Sequence, residues 1–234
     1  MGAQWKTRGK LATSAAKGKI FGRISKELIL AAKGGADPTM NAKLRTVLEA
    51  AKKASMPKDA IDRAIKKGSG QFDDGTTLET VTYEGFGPHR VPLIVECLTD
   101  NKNRTATTIR VLFRKGQLSP VAWDFANVGL VDAAPPEGTD ASKAEEAAIE
   151  SGAQDLEMDP EGEGGVRFYT EPTDLDAVSK ALASAGWAVS GMRIGWRPKN
   201  PVKVDDATAR AEVEAFLHEI DQEDDVQHMY VGYL

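Results

Sequence analysis

A change of hydrophobic period near residue 75 constrains this chain most. Before it, apolar residues recur every three or four positions, the spacing of amphipathic helices. One helix is expected from about Ala15 to Ala32. It turns Ile20, Ile24, Leu28 and Ala31 inward within an arc of about 80° and sets Lys19, Arg23, Lys26 and Lys33 on the opposite side. Gly34-Gly35 ends it, and Asp37-Pro38 supplies a cap and first-turn proline for the next helix. Leu44, Val47, Leu48 and Ala51 form that helix's inner stripe. A third helix starts at Ser55-Met56-Pro57, turns Ala60, Ile61, Ala64 and Ile65 inward and stops at Gly68. The expectation is a small helical bundle behind a loose basic arm.

Beyond Gly75 the pattern is that of strands. Thr80 to Glu84 alternates, Gly85-Phe86-Gly87-Pro88 is turn chemistry, and Val91 to Thr99 is apolar on both faces, as a central strand would be. Asn101 or Asn103 caps a helix carrying Ile109, Leu112 and Phe113, and Val121 to Phe125 reads as another strand. After a Pro/Gly/acid linker at 132–140 come an acidic helix (142–151), strands at 154–158 and 166–169, a helix to Ala185 and a strand at 189–196. That is a β-α-β-β-α-β order. A final helix (Val213, Phe216, Leu217, Ile220) and strand (226–233) supply what the middle unit lacks. The expected fold class is α+β multidomain: a three-helix bundle at 1–75, a split ferredoxin-like α+β domain at 76–130 plus 204–234, and an inserted acidic α+β domain at 131–203.

Charge follows the same division. The 234 residues carry a net charge of −5, but residues 1–70 hold sixteen Lys/Arg against five acids, and residues 131–234 hold eight against twenty-three. Such polarity points to a basic module for a polyanion and an acidic module kept away from it. Twelve of the sixteen cations are lysine, which favours phosphate contact over base reading. With Trp5 and Phe21 the only aromatics in the block, a stacking platform for single strands is not expected. The candidate nucleic-acid-binding residues are Lys6, Arg8, Lys10, Lys17, Lys19, Arg23, Lys26, Lys33, Lys52, Lys53, Lys58, Lys66 and Lys67. The competing reading is a solvated helix surface. A second candidate is the run 100–105, either a helix cap or a polar loop facing phosphate, with Arg104, Arg110 and Arg114 along the helix behind it.

No catalytic constellation is visible. His89, His218 and His228 lack partners at metal-ligand spacing, and Cys97 sits in the apolar run as a small hydrophobe. The carboxylates Glu219, Asp221, Glu223, Asp224 and Asp225 lack a calcium-loop pattern and read as a solvated helix end. One cysteine precludes an internal disulfide, and no apolar run reaches bilayer length. The expectation is a cytoplasmic protein that is not an enzyme and has no cofactor, metal, membrane or small-molecule substrate.

Several motifs resemble the YebC/PmpR family of probable transcriptional regulatory proteins. They are Lys17-Gly18-Lys19-Ile20-Phe21, Gly34-Gly35-Ala36-Asp37-Pro38, Ala54-Ser55-Met56-Pro57-Lys58-Asp59, Tyr83-Glu84-Gly85-Phe86-Gly87-Pro88, Glu96-Cys97-Leu98-Thr99-Asp100-Asn101 and Glu171-Pro172-Thr173-Asp174-Leu175. The resemblance implies three domains and a cytoplasmic DNA-binding regulator. It also brings in a mitochondrial relative that activates translation of a cytochrome oxidase subunit, and bacterial members linked to the ribosome. DNA-binding transcriptional regulation is therefore the first reading, and a ribosome-associated translation factor contacting ribosomal RNA is the alternative. The chain departs from the family at Gly2-Ala3-Gln4-Trp5-Lys6, which lacks a histidine, at His89-Arg90, where glycines are usual, and at the shortened turn after Gly116.

Overall fold

The computed structural model describes residues 14–72, 75, 77–136, 138, 141–158 and 164–234. Three helices open it: α1 (Ser14–Ala32), α2 (Ala42–Lys53) and α3 (Lys58–Gly68). Then follow β1 (Glu79–Phe86), β2 (Pro92–Thr99), α4 (Lys102–Leu112), β3 (Gln117–Leu118), β4 (Phe125–Ala134), α5 (Ala141–Ser151), β5 (Asp155–Met158), β6 (Val166–Thr170), α6 (Leu175–Ser184), β7 (Ala188–Pro198), α7 (Ala207–Asp221) and β8 (Val226–Val231).

The helices close on Ile24, Leu28, Leu44, Val47, Ala51 and Ala64, the stripes their spacing predicts. Ile20 departs from that expectation: it is 47% exposed, and the packed part of α1 begins at Phe21. The cap of α2 is Asn41 and not the expected Asp37: the Asn41 side chain accepts from the Leu44 amide, while Asp37 accepts from Thr39 in the turn before the helix. Gly68 lies where α3 crosses α1, and a Cβ there would run into the Ile29 carbonyl and the Ala32 methyl.

The rest of the chain forms four layers. One antiparallel sheet has the order β3-β1-β2-β8 and is covered on one face by α4 and α7. The other has the order β5-β6-β4-β7 and is covered by α5 and α6. The bare faces of the two sheets pack together through Ile94 and Tyr230 from the first and Val128, Leu130 and Tyr169 from the second. Because side chains alternate along a strand, Leu93 and Val95 point to the helices while Ile94 points to the facing sheet. The same alternation explains why β2 and β4 are apolar on both faces. Gly195 makes the seam tight, since a Cβ there would lie 2.6 Å from the Tyr230 hydroxyl.

Three expectations are corrected here. The strand expected at 121–125 is a 3-10 turn over Ala122–Asp124, in which the Glu84 carboxylate accepts from the Val121 and Ala122 amides at 2.7 and 2.8 Å. The true strand, β4, starts at Phe125 and pairs with β6 and β7, so the boundary expected after residue 130 falls inside it. The second correction concerns Asp132, expected in a linker. It sits within β4, where Arg167 and Arg193 donate to its carboxylate at 2.6 and 2.7 Å. The third is the ferredoxin-like order, which belongs to the insert's sheet and not to the split one.

Replacing Gly68 by alanine should push α3 off α1 and lower stability by about 1–3 kcal/mol in urea unfolding. An unchanged midpoint would show that the helices do not cross where the structure places them.

Candidate nucleic-acid interface

The basic residues singled out from the sequence divide into two groups. Lys6, Arg8 and Lys10 lie outside the described residues. Lys52 and Lys53 are exposed at the end of α2 and Lys58 and Lys66 on α3, with Lys67 half-buried at the end of α3. Lys43, Arg45 and Arg63, which the pattern did not single out, are exposed on the same two helices. Phe72 is 54% exposed and lines a shallow pocket with Arg63, Lys66, Asp59 and Asp62. Lysines in the last turns of α2 and α3 also face the negative ends of their helix dipoles, which favours placing cations there whatever they bind.

The row on α1 is differently placed. Lys17 is exposed, and Lys33 donates to the Leu78 carbonyl at 3.3 Å. Between them, Lys19, Arg23 and Lys26 face the turn that follows α7. Arg23 donates to the Asp221 carbonyl at 2.7 Å and to its carboxylate at 3.0 Å. Lys26 donates to the Asp224 carbonyl at 2.9 Å and to the Asp225 carboxylate at 2.7 Å. The Lys19 ammonium is buried with no hydrogen-bond partner. Burial, then the neighbouring Arg23, lowers its pKa to about 8 against the pull of Asp221, Asp224 and Glu223.

Asp225 is the centre of this arrangement. Expected on a solvated helix end, it is instead 3% exposed. Arg104 donates to it at 3.0 Å, and the hydroxyls of Thr105 and Thr99 lie 2.7 and 3.2 Å from the same carboxylate oxygen. Burial alone would raise its pKa, but hydrogen bonds from Lys26, Thr105 and Arg104 outweigh that and hold it at about 2. Lys26 and Arg104, drawn from two separate basic stretches, thus meet on one internal carboxylate. Asn101 caps α4 by accepting from the Arg104 amide at 3.0 Å, so the run 100–105 is a cap. Arg110 is exposed on the outer face of α4. Helical spacing could not reveal these roles, because Asp221 and Asp225 meet Arg23 and Lys26 from 198 and 199 residues away, and Thr99 and Thr105 meet Asp225 from 126 and 120 residues away.

Beside this contact a cleft of about 500 Å³ separates α1 and α2 from the two sheets. Glu27, Glu96, Arg193, Gln227 and His228 line it with the apolar Leu30, Val47 and Met192. Burial raises the pKa of both Glu27 and Glu96. No cluster of three potential metal ligands occurs among the described residues. Cys97, near the cleft, is buried; burial first and Asp225 second push its thiol up to about 12, so it holds its proton at neutral pH.

With the geometry described, comparison with known proteins assigns the chain. The family model described as the TACO1/YebC protein N-terminal domain matches residues 2–71, and the one described as the TACO1/YebC second and third domain matches 78–233. The chain belongs to the TACO1/YebC family. A Pseudomonas syringae pv. tomato protein named "Probable transcriptional regulatory protein" is 57% identical over 99% of both chains. A Bdellovibrio bacteriovorus protein of the same description is 44% identical over 98% of this chain and 99% of its own. Among solved structures, a conserved hypothetical protein from Aquifex aeolicus superimposes with a TM-score of 0.82 at 35% identity, over 93% of this chain and 90% of that one. This TACO1/YebC family member shares the mixed α+β architecture of that structure.

Two outcomes follow from the charges described. Asp225 is held at about 2 against an unfolded value of about 3.9, so its stabilising contribution is complete above about pH 4 and is lost as pH falls towards 2. Asp225→Asn should cost about 3 kcal/mol at neutral pH and flatten the acid limb of the stability curve. Asp132, also held at about 2, keeps that limb from vanishing. An unchanged acid limb would contradict the assignment. In the second test, Cys97 should resist iodoacetamide in the folded protein and react only on unfolding.

Proposed function

We propose that this TACO1/YebC family member is a non-enzymatic, cytoplasmic regulator of gene expression that binds nucleic acid through its N-terminal helices. The observation that carries the reading is the concentration of exposed lysines on α2 and α3, within a 70-residue block that is strongly basic in an acidic chain. The names of its relatives, probable transcriptional regulatory proteins, support a regulatory role. Its working division follows the three packed cores: the helices, the β3-β1-β2-β8 sheet with its helices, and an insert taken as residues 125–198 so that β4 and β7 stay paired.

The lysine content sets the mode of binding. An ammonium on a flexible stem suits a phosphate oxygen and lacks the fork with which arginine reads guanine. Binding should therefore follow backbone and shape more than base sequence. That mode serves ribosomal RNA as well as duplex DNA, so the translation-factor reading stands beside the transcriptional one. No helix among the described residues is long and apolar enough to cross a membrane.

Neutralising about five phosphates predicts a fall of log affinity against log salt with a slope of −4 to −5 on duplex DNA. The combined change Lys52→Gln, Lys58→Gln and Lys66→Gln should weaken binding alike on unrelated sequences and reduce the slope by about 3. Fluorescence anisotropy with a labelled duplex and a ribosomal RNA fragment measures both. Unchanged affinity and slope in the variant would sink the assignment of these lysines.

A further inference from the structure

The α1 row forms a face that another part of the same chain covers. Arg23 and Lys26 are engaged by two carboxylates and two backbone carbonyls at the end of α7, oxygens of the kind a phosphodiester backbone would offer in their place. The fit is incomplete. The Lys19 ammonium and the Arg23 Nε are buried beside these acids without a hydrogen-bond partner. Docking α1 here removes two donors from water and gives them no hydrogen bond in return, a cost that falls on the docked state alone.

No buried apolar cluster among the described residues spans the contact. The helical core is built of residues from α1 to α3, and the core beneath α4 and α7 is built of the split domain's own residues. Between them lie ion pairs, α2 laid against β7, the cleft and a loose approach of His228 to Glu27 at 3.7 Å. Such a contact weakens with salt, because screening acts on charge pairs and leaves apolar packing alone. The acidic side, in contrast, is also held from within its own domain. Arg104, Thr105 and Thr99 hold the Asp225 carboxylate from the split domain itself.

From this geometry, and resting on the reading that the helices bind nucleic acid, we propose that Lys19, Arg23 and Lys26 form a second phosphate-binding surface that the turn 221–225 occupies in the free protein. Nucleic acid gains this surface by displacing the acids, and the helices swing off the two-sheet body as it does so. The exposed lysines of α2 and α3 make the first contact, and the α1 row joins it once the helices open. The acidic turn thereby sets a threshold: weak or short polyanions meet only the open lysines, while a long backbone competes for the row as well.

The test uses the full chain with donor and acceptor dyes at Met40→Cys and Ile149→Cys, both exposed positions on opposite sides of the contact. Cys97 is buried and stays in place. Energy transfer should fall when a duplex of about 30 base pairs is added, or when salt rises from about 50 to about 500 mM without it. An RNA of the same length and sequence shows whether both backbones do this. Asp221→Asn should lower transfer in the free protein and tighten binding about threefold to tenfold relative to Glu145→Gln, which removes the same charge from α5. Lys19→Met removes the unpartnered ammonium and should raise transfer in the free protein and reduce its fall with salt. Transfer that stays constant on binding, or an Asp221→Asn variant that binds as Glu145→Gln does, overturns the proposal while leaving nucleic-acid binding intact. If neither probe binds any variant, this proposal falls together with the reading it rests on.

Discussion

The Asp225 carboxylate joins parts of the chain that would otherwise be separate. It receives the end of β2 through Thr99, the first turn of α4 through Arg104 and Thr105, and α1 through Lys26. A buried carboxylate without such partners would shed its charge or destabilise the fold. Here the donors outweigh burial, so the group stays ionised and ties its partners together. The docking of the N-terminal helices on the two-sheet body depends on this charge and on its neighbour Asp221.

The two sheets are joined by a different force. Ile94, Leu130, Tyr169 and Tyr230 interlock across a buried seam, with Gly195 allowing the close approach. Burial of that kind is insensitive to salt. The body is therefore built to act as one unit, and the ion pairs that tie α1 to it are contacts that ions and polyanions weaken. The proposed opening rests on this contrast between an apolar joint and one tied by ion pairs.

Much of this was legible in the sequence, and the reasons are local. The inner stripes of α2 and α3, the Asn101 cap and the doubly apolar β2 follow from spacing and side-chain chemistry within a few residues. Where the reading failed, the deciding partner was distant. Val121 and Phe125 are apolar enough for a strand, but Glu84 caps the amides between them into a turn. Asp132 looks like a linker acid until Arg167 and Arg193 meet it across two strand pairings. The α1 stripe separates cleanly from the apolar face, and periodicity says only that it points away from the bundle. That it points at Asp221 and Asp225 is a tertiary fact, invisible to helical spacing.

Lysine reactivity, read residue by residue through acetylation and mass spectrometry, tests the account most directly. In the free protein at low salt, Lys52, Lys58 and Lys66 should react quickly and Lys26 slowly. Bound duplex or ribosomal RNA should protect the first three, and high salt without nucleic acid should expose Lys26. Protection that falls on the insert, or a Lys26 that reacts as fast as Lys52 in the free protein, would contradict it.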